Sequence, residues 1–429
     1  MPRPRRQARH RDGDPETSEQ HEREVPVSRG AASTTGSARV FITGLGVISP
    51  AGAGVEPFWN DLCAGRSRFE ELPPLYAGMK PGILGGRVPQ EARETALARV
   101  DAVTRERPRA ASLFAEFAAL EALRDAGLTP GDAALRSAVV CVGSSDGQAE
   151  ALEDVVAGRG DATGTGGFAS YSIAQGVART VGASGPAYLL QSTCASANVA
   201  LSCALEMLRA GIADTAVVGG CDPYSEKNII GFNTLQAIGP KPCKPFTKGR
   251  RFVTPSEGSG MFVLQTERAL RPDATPYAEV LATAISNDAS HPTAPDREGV
   301  AACHRRSLEE AGLKADDIDV IFAHGTGSRA NDTIEGGIFA ERYPRAAVTA
   351  IKSTIGHLMG AAGAAGVVAA CLALRHRQVP PTAVDPDDVE LDINLVTGEP
   401  LSVPDLRHVQ NNAFGFGGNN AISIFRSAS

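Results

Sequence analysis

The chain reads as an α/β fold whose strands form largely parallel sheets covered on both faces. Three observations lead there. Short runs of β-branched and small apolar residues recur along the chain, stretches of helical spacing lie between them, and Gly or Pro punctuates the joins. The alternation runs to about residue 270 and restarts after Pro272. Two similar halves are therefore expected, 38–270 and 271–429, with no high-identity repeat between them.

Taking the elements in order, residues 1–37 mix arginines, acids, Ser and Thr with almost no large apolar side chains, and a disordered tail is expected there. A short β-rich run at 39–43 begins the ordered chain. Leu113, Phe117, Leu120 and Leu123 recur at helical spacing over 111–126, and Gly127 stops that helix. The run 138–142 predicts a buried strand, 195–210 a helix ended by Gly211, and 215–219 another strand. In the second half, 277–284, 319–323, 347–351 and 409–413 predict strands, and 298–311 and 360–374 predict helices.

Composition narrows the function classes. With 429 residues, 42% hydrophobic and 21% charged, the chain is an ordinary globular one, long enough to bury a core without disulfide or metal staples. A net charge of −7 argues against a nucleic-acid binder. The eight cysteines are scattered and form no C-x-x-C pair, which disfavours a zinc site and a secreted disulfide framework. The arginines near the start are not followed by an apolar run, as a signal peptide requires. The uncharged stretch 358–374 is Ala- and Gly-rich and too short to span a bilayer comfortably, so a buried helix is expected and no membrane association. A cytoplasmic location follows.

Two motifs lack the context their chemistry needs. Gly44-Leu45-Gly46 follows a strand like the start of a dinucleotide fingerprint, but Ser49 fills the third small position and Pro50 follows at once. Gly143-Ser144-Ser145-Asp146-Gly147 satisfies G-x-S-x-G and would make Ser145 a hydrolase nucleophile, yet no helix clearly follows it. A Gly-rich strand-to-loop turn is the plainer reading.

A cysteine and two histidines carry more. Cys194 lies in Gln191-Ser192-Thr193-Cys194-Ala195-Ser196-Ala197-Asn198, just before a helix whose first turn holds no acid, where free N–H groups and the helix dipole favour a thiolate. His324 ends a strand and opens His324-Gly325-Thr326-Gly327-Ser328, at the end of a strand where α/β proteins place ligands. His357 closes Lys352-Ser353-Thr354-Ile355-Gly356-His357. Two such histidines can donate hydrogen bonds to a developing enolate or oxyanion. The glycines of Phe414-Gly415-Phe416-Gly417-Gly418 let backbone N–H groups approach a ligand. Taken singly, each has a structural reading: a buried small thiol, a satisfied core histidine, a turn before a last strand. Together they make a nucleophile with electrophilic helpers.

The segments TCASAN at Cys194, AHGTGSRAND at His324, KSTIGHLMGAAG at Lys352 and His357, and NAFGFGGNN at Phe414 resemble, in order and spacing, those of the β-ketoacyl-acyl carrier protein synthases. These are the condensing enzymes of fatty acid and polyketide synthesis. The resemblance runs from about Val40 to Phe425. It implies the thiolase-like fold, two similar αβαβα halves forming a five-layered core.

The resemblance also implies roles. Cys194 takes the acyl chain as a thioester. His324 and His357 polarise the malonyl thioester and stabilise its enolate. The N–H groups of Cys194 and Phe416 form the oxyanion hole. Lys352 helps fix the site of the second histidine, and Asp332 and Glu335 engage that lysine, as a buried ammonium requires. Thr326 and Ser328 bind the pantetheine arm, and Phe414 and Phe416 gate acyl access. No metal or cofactor is expected, the substrates riding on the phosphopantetheine of acyl carrier protein. The partners implied are acyl carrier protein and a second subunit, in a homodimer or a heterodimer with a chain-length-factor-like protein lacking the cysteine. Two alternatives stay open: a catalytic subunit active only in that heterodimer, and a serine hydrolase at Ser145. Related branches separate at single residues. Thiolases carry a second cysteine near the last glycines, absent from 414–420. Coenzyme A-primed initiating synthases replace the second histidine with Asn. Chain-length subunits lack the nucleophile. One loop departs from the family pattern: Pro245-Phe246 is followed by Thr247, and Phe252-Val253 is displaced by one position before Glu257-Gly258.

Overall fold

The computed structural model describes residues 38–104, 108–159 and 168–428. The expected tail, 1–37, lies outside them. Ten strands form one hydrogen-bonded path: β1 (Val40–Ser49), β2 (Val139–Gly143), β3 (Ala187–Leu190), β4 (Thr215–Asp222), β5 (Gly258–Thr266), β6 (Ala278–Asn287), β7 (Val320–Phe322), β8 (Ala347–Thr349), β9 (His408–Gly415) and β10 (Asn419–Ser427). Their spatial order is β8-β7-β9-β10-β6-β1-β5-β4-β2-β3. Read from either edge toward the middle, each set of five follows the same sequence: third, second, fourth, fifth, first. The two sets meet only where β1 touches β6, through Phe41 opposite Glu279 and Ile42 opposite Ala278.

The expectation of largely parallel sheets is corrected. β2 and β7 pair in parallel with both neighbours, but β4/β5, β5/β1, β9/β10 and β10/β6 are antiparallel. β9 and β10 show why: three residues, Phe416 to Gly418, connect them, and so short a turn can only reverse the chain. The short strand β3 and the strand β5 carry no clear signal in the sequence. β3 is an edge with half of its residues exposed.

Helices complete the layers. α1 (Ala110–Asp125) and α2 (Ser172–Val181) cover the outer face of the first sheet, α1 lying on β1 and β5. α3 (Ser196–Arg209) packs on β2 and β4 and also on β6 and β10 of the other set. α4 (Arg297–Ala311) covers β6 and β10, with α5 (Arg329–Arg342) beside it. α6 (Ala362–His376) packs on β9, β5 and α3. The central helices thus contact both sheets, and five layers result. Strand periodicity divides the side chains between them. Val139 and Cys141 of β2 join the central core, while Val140 and Val142 face α1 and α2.

The stretch Met359–His376 is long and apolar enough to cross a bilayer, but it is 89% buried inside the protein. A helix buried all round needs no polar face, and so its sequence is Ala- and Gly-rich throughout.

The expected strand at 39–43 extends to Ser49, with a bulge between Ile42 and Gly44. Gly44 and Gly46 are therefore strand residues rather than a turn. A Cβ on Gly46 would sit 1.9 Å from the Ala118 carbonyl oxygen, and one on Gly44 would sit 2.1 Å from that of Ala122. The G-x-G pair lets α1 lie directly on the strand, and that contact is its physical explanation. Gly46→Ala is expected to cost about 2–3 kcal/mol, since backbone and not a flexible side chain must yield. A denaturant titration with an unchanged midpoint would refute this.

Candidate active site

Cys194 lies between β3 and α3, in a turn forced by a strained residue. Thr193 has φ 50°, a left-handed conformation rare for a β-branched side chain. Hydrogen bonds hold it there. Ser196 Oγ accepts from the Ser192 N–H at 2.8 Å and donates to the Thr193 carbonyl at 2.6 Å. Thr193 Oγ1 donates to the Phe416 carbonyl at 3.0 Å, joining this turn to the β9–β10 turn. Gly415 makes the approach possible: a Cβ there would stand 2.2 Å from Thr193 Oγ1. Asp222, fully buried, folds the neighbouring loop by accepting from Ser144 Oγ and from the N–H groups of Ser145, Asp146 and Gly360.

The expected thiolate is corrected. Cys194 is only 8% exposed, and burial pushes its thiol up to about 12. The nearby Lys352 ammonium opposes that shift, while Asp222 and Asp146 add to it. Desolvation outweighs the favourable helix terminus. Alkylation of Cys194 by iodoacetamide is expected to accelerate about tenfold per pH unit from 7 to 10, because the thiolate fraction grows that way below the pKa. A plateau below pH 8 would show an ionised resting thiol.

His324 follows β7, where the chain leaves the sheet and its backbone donors need acceptors. Glu335 accepts from the N–H groups of His324 (2.7 Å) and Gly325 (2.8 Å). Asp332 accepts from those of Thr326, Gly327 and Phe246. Both carboxylates come from the first two turns of α5, which Ser328 caps. Burial pushes both up, Asp332 to about 7.

Lys352 corrects a second expectation. Its Nζ donates to the His324 carbonyl at 2.6 Å and stands 3.4 Å from His324 Nδ1, so it fixes the first histidine and not the second. Neither Asp332 nor Glu335 forms an ion pair with it among the described residues. The loop's backbone N–H groups take those oxygens first. Glu335 still favours the ammonium through space, against the burial that lowers its pKa.

These contacts set the tautomers. Lys352 has only donors to offer, so His324 Nδ1 is an acceptor. His357 Nδ1 accepts from the Met359 N–H at 3.2 Å. Burial holds both rings neutral, well below the usual histidine range, and the Lys352 charge adds to it. A neutral ring with Nδ1 as acceptor carries its proton on Nε2. The rings stand edge to face with centroids 5.4 Å apart.

Cys194, His324, His357, Thr326, Ser328, Phe414 and Phe416 line one cavity of about 280 Å³. Lys352, Asp332 and Glu335 stand behind it. Thr326 Oγ1 and Ser328 Oγ are 2.9 Å apart. The N–H groups of Cys194 and Phe416 donate to no other residue among those described, the former facing its own sulfur. Phe416 is 36% exposed and meets the Phe232 ring at 5.8 Å. Ser145 is outside the cavity, and its hydroxyl is buried with no hydrogen-bond partner among the described residues, so no histidine activates it.

Further lining residues escaped the sequence reading: Phe232, Leu235, Ala237, Val253, Thr293 and Asn331 among them. Phe232 belongs to the helix Glu226–Thr234, which bears no motif. Asn331 sits inside the AHGTGSRAND segment, whose pattern is the signal that points to it.

Sequence models of the beta-ketoacyl synthase N-terminal and C-terminal domains match residues 37–269 and 277–384. The chain belongs to the beta-ketoacyl synthase family. The synthase is 34% identical to nodulation protein E of Rhizobium meliloti (strain 1021) over 408 residues, 90% of this chain and 99% of that one. It is 32% identical to 3-oxoacyl-[acyl-carrier-protein] synthase 2 of the same organism over 416 residues, 90% and 98% of the two chains. Among solved structures, the ishigamide ketosynthase/chain length factor is similar with a TM-score of 0.81 and 34% identity, over 92% of this synthase and all of that chain. The family performs acyl-transferring condensations, and the cavity of this synthase holds the nucleophile and donor groups such chemistry needs.

Proposed function

We propose that this synthase elongates an acyl chain by decarboxylative Claisen condensation with malonyl-acyl carrier protein. The observation that supports it best is the cavity that joins one nucleophilic thiol to two neutral imidazoles carrying Nε2–H donors. Cys194 attacks an acyl thioester, whose oxyanion accepts from the N–H groups of Cys194 and Phe416. Collapse expels the carrier thiol, which takes the Cys194 proton. The malonyl thioester carbonyl then accepts from His324 and His357. Its terminal C–C bond breaks, carbon dioxide leaves, and the bonding pair becomes an enolate. The enolate carbon attacks the Cys194 thioester and a C–C bond forms. The Cys194 thiolate departs and takes one proton from solvent, the proton that the overall condensation consumes. Lys352 keeps His324 Nδ1 an acceptor, and so keeps the proton on Nε2.

In this reading Thr326 and Ser328 bind the pantetheine arm, Phe414 and Phe416 control access, and no cofactor is needed. The eight free cysteines suit the reducing cytoplasm. The repeated strand order supports dividing the synthase into halves 38–270 and 271–429. Intact-mass analysis after mixing with acyl-loaded carrier proteins of varied chain length tests the reading. An acyl increment on Cys194 is expected, and its persistence in Cys194→Ala would refute it. The likeness to a ketosynthase/chain length factor favours one second reading: catalysis only beside a partner subunit lacking the cysteine. In that case the purified chain alone forms no product, and adding such a subunit restores it.

A further inference from the structure

A buried polar chain runs from the outer layer of the second half to the backbone of His324. Gln410, Asn412 and Phe414 alternate along β9 and so share one face of the sheet. Against that face, His304 of α4 accepts at Nδ1 from the Gln410 amide (3.2 Å) and stands 3.0 Å from the Tyr343 hydroxyl. Gln410 donates onward to Asn412 Oδ1 at 2.8 Å. Asn412 donates to Glu335 Oε1 at 3.1 Å, the same oxygen that holds the His324 N–H. A second route is aromatic. Phe414 lies with its centroid 6.2 Å from the His304 ring and 5.6 Å from the His324 ring.

The chain is costly where it stands. His304 and Gln410 are fully buried beside an apolar cluster that includes Phe339, Tyr343, Ile321 and Phe414. His304 Nε2 and Gln410 Oε1 have no hydrogen-bond partner among the described residues. Burying unpaired polar atoms lowers stability, and apolar side chains of similar shape would pack there without that loss. Stability therefore does not explain the chain, whereas its endpoint does. Burial holds His304 neutral, pushed down to about 3, so it acts as a fixed acceptor and not as a charge.

We propose that His304 and Gln410 are positioning residues for the decarboxylation step, holding Glu335 and, through it, the His324 backbone at the geometry the enolate requires. Neither lines the cavity. The inference rests on the condensation reading above. Its specific content is a split between half-reactions: malonyl decarboxylation depends on His324, whereas acyl transfer to Cys194 uses the N–H groups at the other wall.

The test uses the full-length chain with acyl- and malonyl-loaded carrier proteins. Gln410→Leu and His304→Leu are each expected to slow malonyl decarboxylation about tenfold or more, as small misplacements of a reacting group do. Acyl transfer to Cys194 changes little. The double variant is no slower than either single one, because one cut suffices. His304→Asn, whose Oδ1 stands near the position of Nδ1, recovers most of the rate. Equal loss in both half-reactions, additive effects, or no recovery by His304→Asn would overturn the proposal. Should the leucine variants misfold, Gln410→Met, close to glutamine in length and shape but without its amide donors, gives the same comparison. If the unaltered chain neither acylates Cys194 nor decarboxylates malonyl-carrier protein, the condensation reading itself fails, a result distinct from failure of the positioning role.

Discussion

Cys194→Ala abolishes condensation and leaves malonyl decarboxylation standing. The thiol is the cysteine nucleophile of the cavity, a better one than the Thr326 and Ser328 hydroxyls, so its loss is expected to lower chain extension by at least about a thousandfold. The donors that favour the enolate are separate. His324 is held by Lys352 and Glu335, and His357 by the Met359 N–H, with no bond to Cys194 in either set. Carbon dioxide release from malonyl-carrier protein should therefore continue in the variant at a rate within a few-fold of the parent. Labelled malonyl substrate and product analysis read both steps. Loss of both together would mean that the thiol organises the histidines, contrary to the bonding seen.

His324→Ala gives the opposite pattern. Removing a preorganised donor aimed at a developing negative charge costs about a hundred- to a thousandfold. Decarboxylation should fall by that factor while the acyl adduct on Cys194 still forms. The variant also leaves Lys352 buried without the ring it faces, although its bond to the residue-324 carbonyl survives. Because both imidazoles are neutral well below the usual histidine range, their ring NMR shifts should follow no titration as pH falls from 8 through 6.5, a range in which Asp332, raised to about 7, takes up its proton. A ring resonance that titrates near 6.5 would show that an imidazole charges there.

The sequence made some of this legible and hid the rest, for physical reasons. Strands buried on both faces, such as β2 and β4, are continuous apolar runs and were plain. Helix α6 was plain because a helix enclosed by protein needs no polar stripe. Strand direction was not legible, because periodicity is the same for parallel and antiparallel neighbours. The site's reactive residues stood out because a cysteine and two histidines occupy segments of small residues. Their wiring did not stand out. Lys352 was expected beside His357, five residues away in sequence, yet it reaches His324 across the sheet. The thiolate expected at a helix start is a thiol because burial, a property of the whole fold, dominates a local dipole. Phe232 and Leu235 were invisible as wall residues, since an apolar side chain facing a cavity looks like one facing the core.

The bond from Thr193 Oγ1 to the Phe416 carbonyl joins residues 223 positions apart. Its consequence concerns the order of events on the ribosome. The thiol leaves the exit tunnel long before the turn that seats it, between β9 and β10, has been translated. A truncated or stalled chain would carry Cys194 without the Phe416 donor. In the proposed mechanism such a chain holds its nucleophile but only one of the two oxyanion donors, so full stabilisation of acyl transfer at Cys194 waits on the turn between β9 and β10.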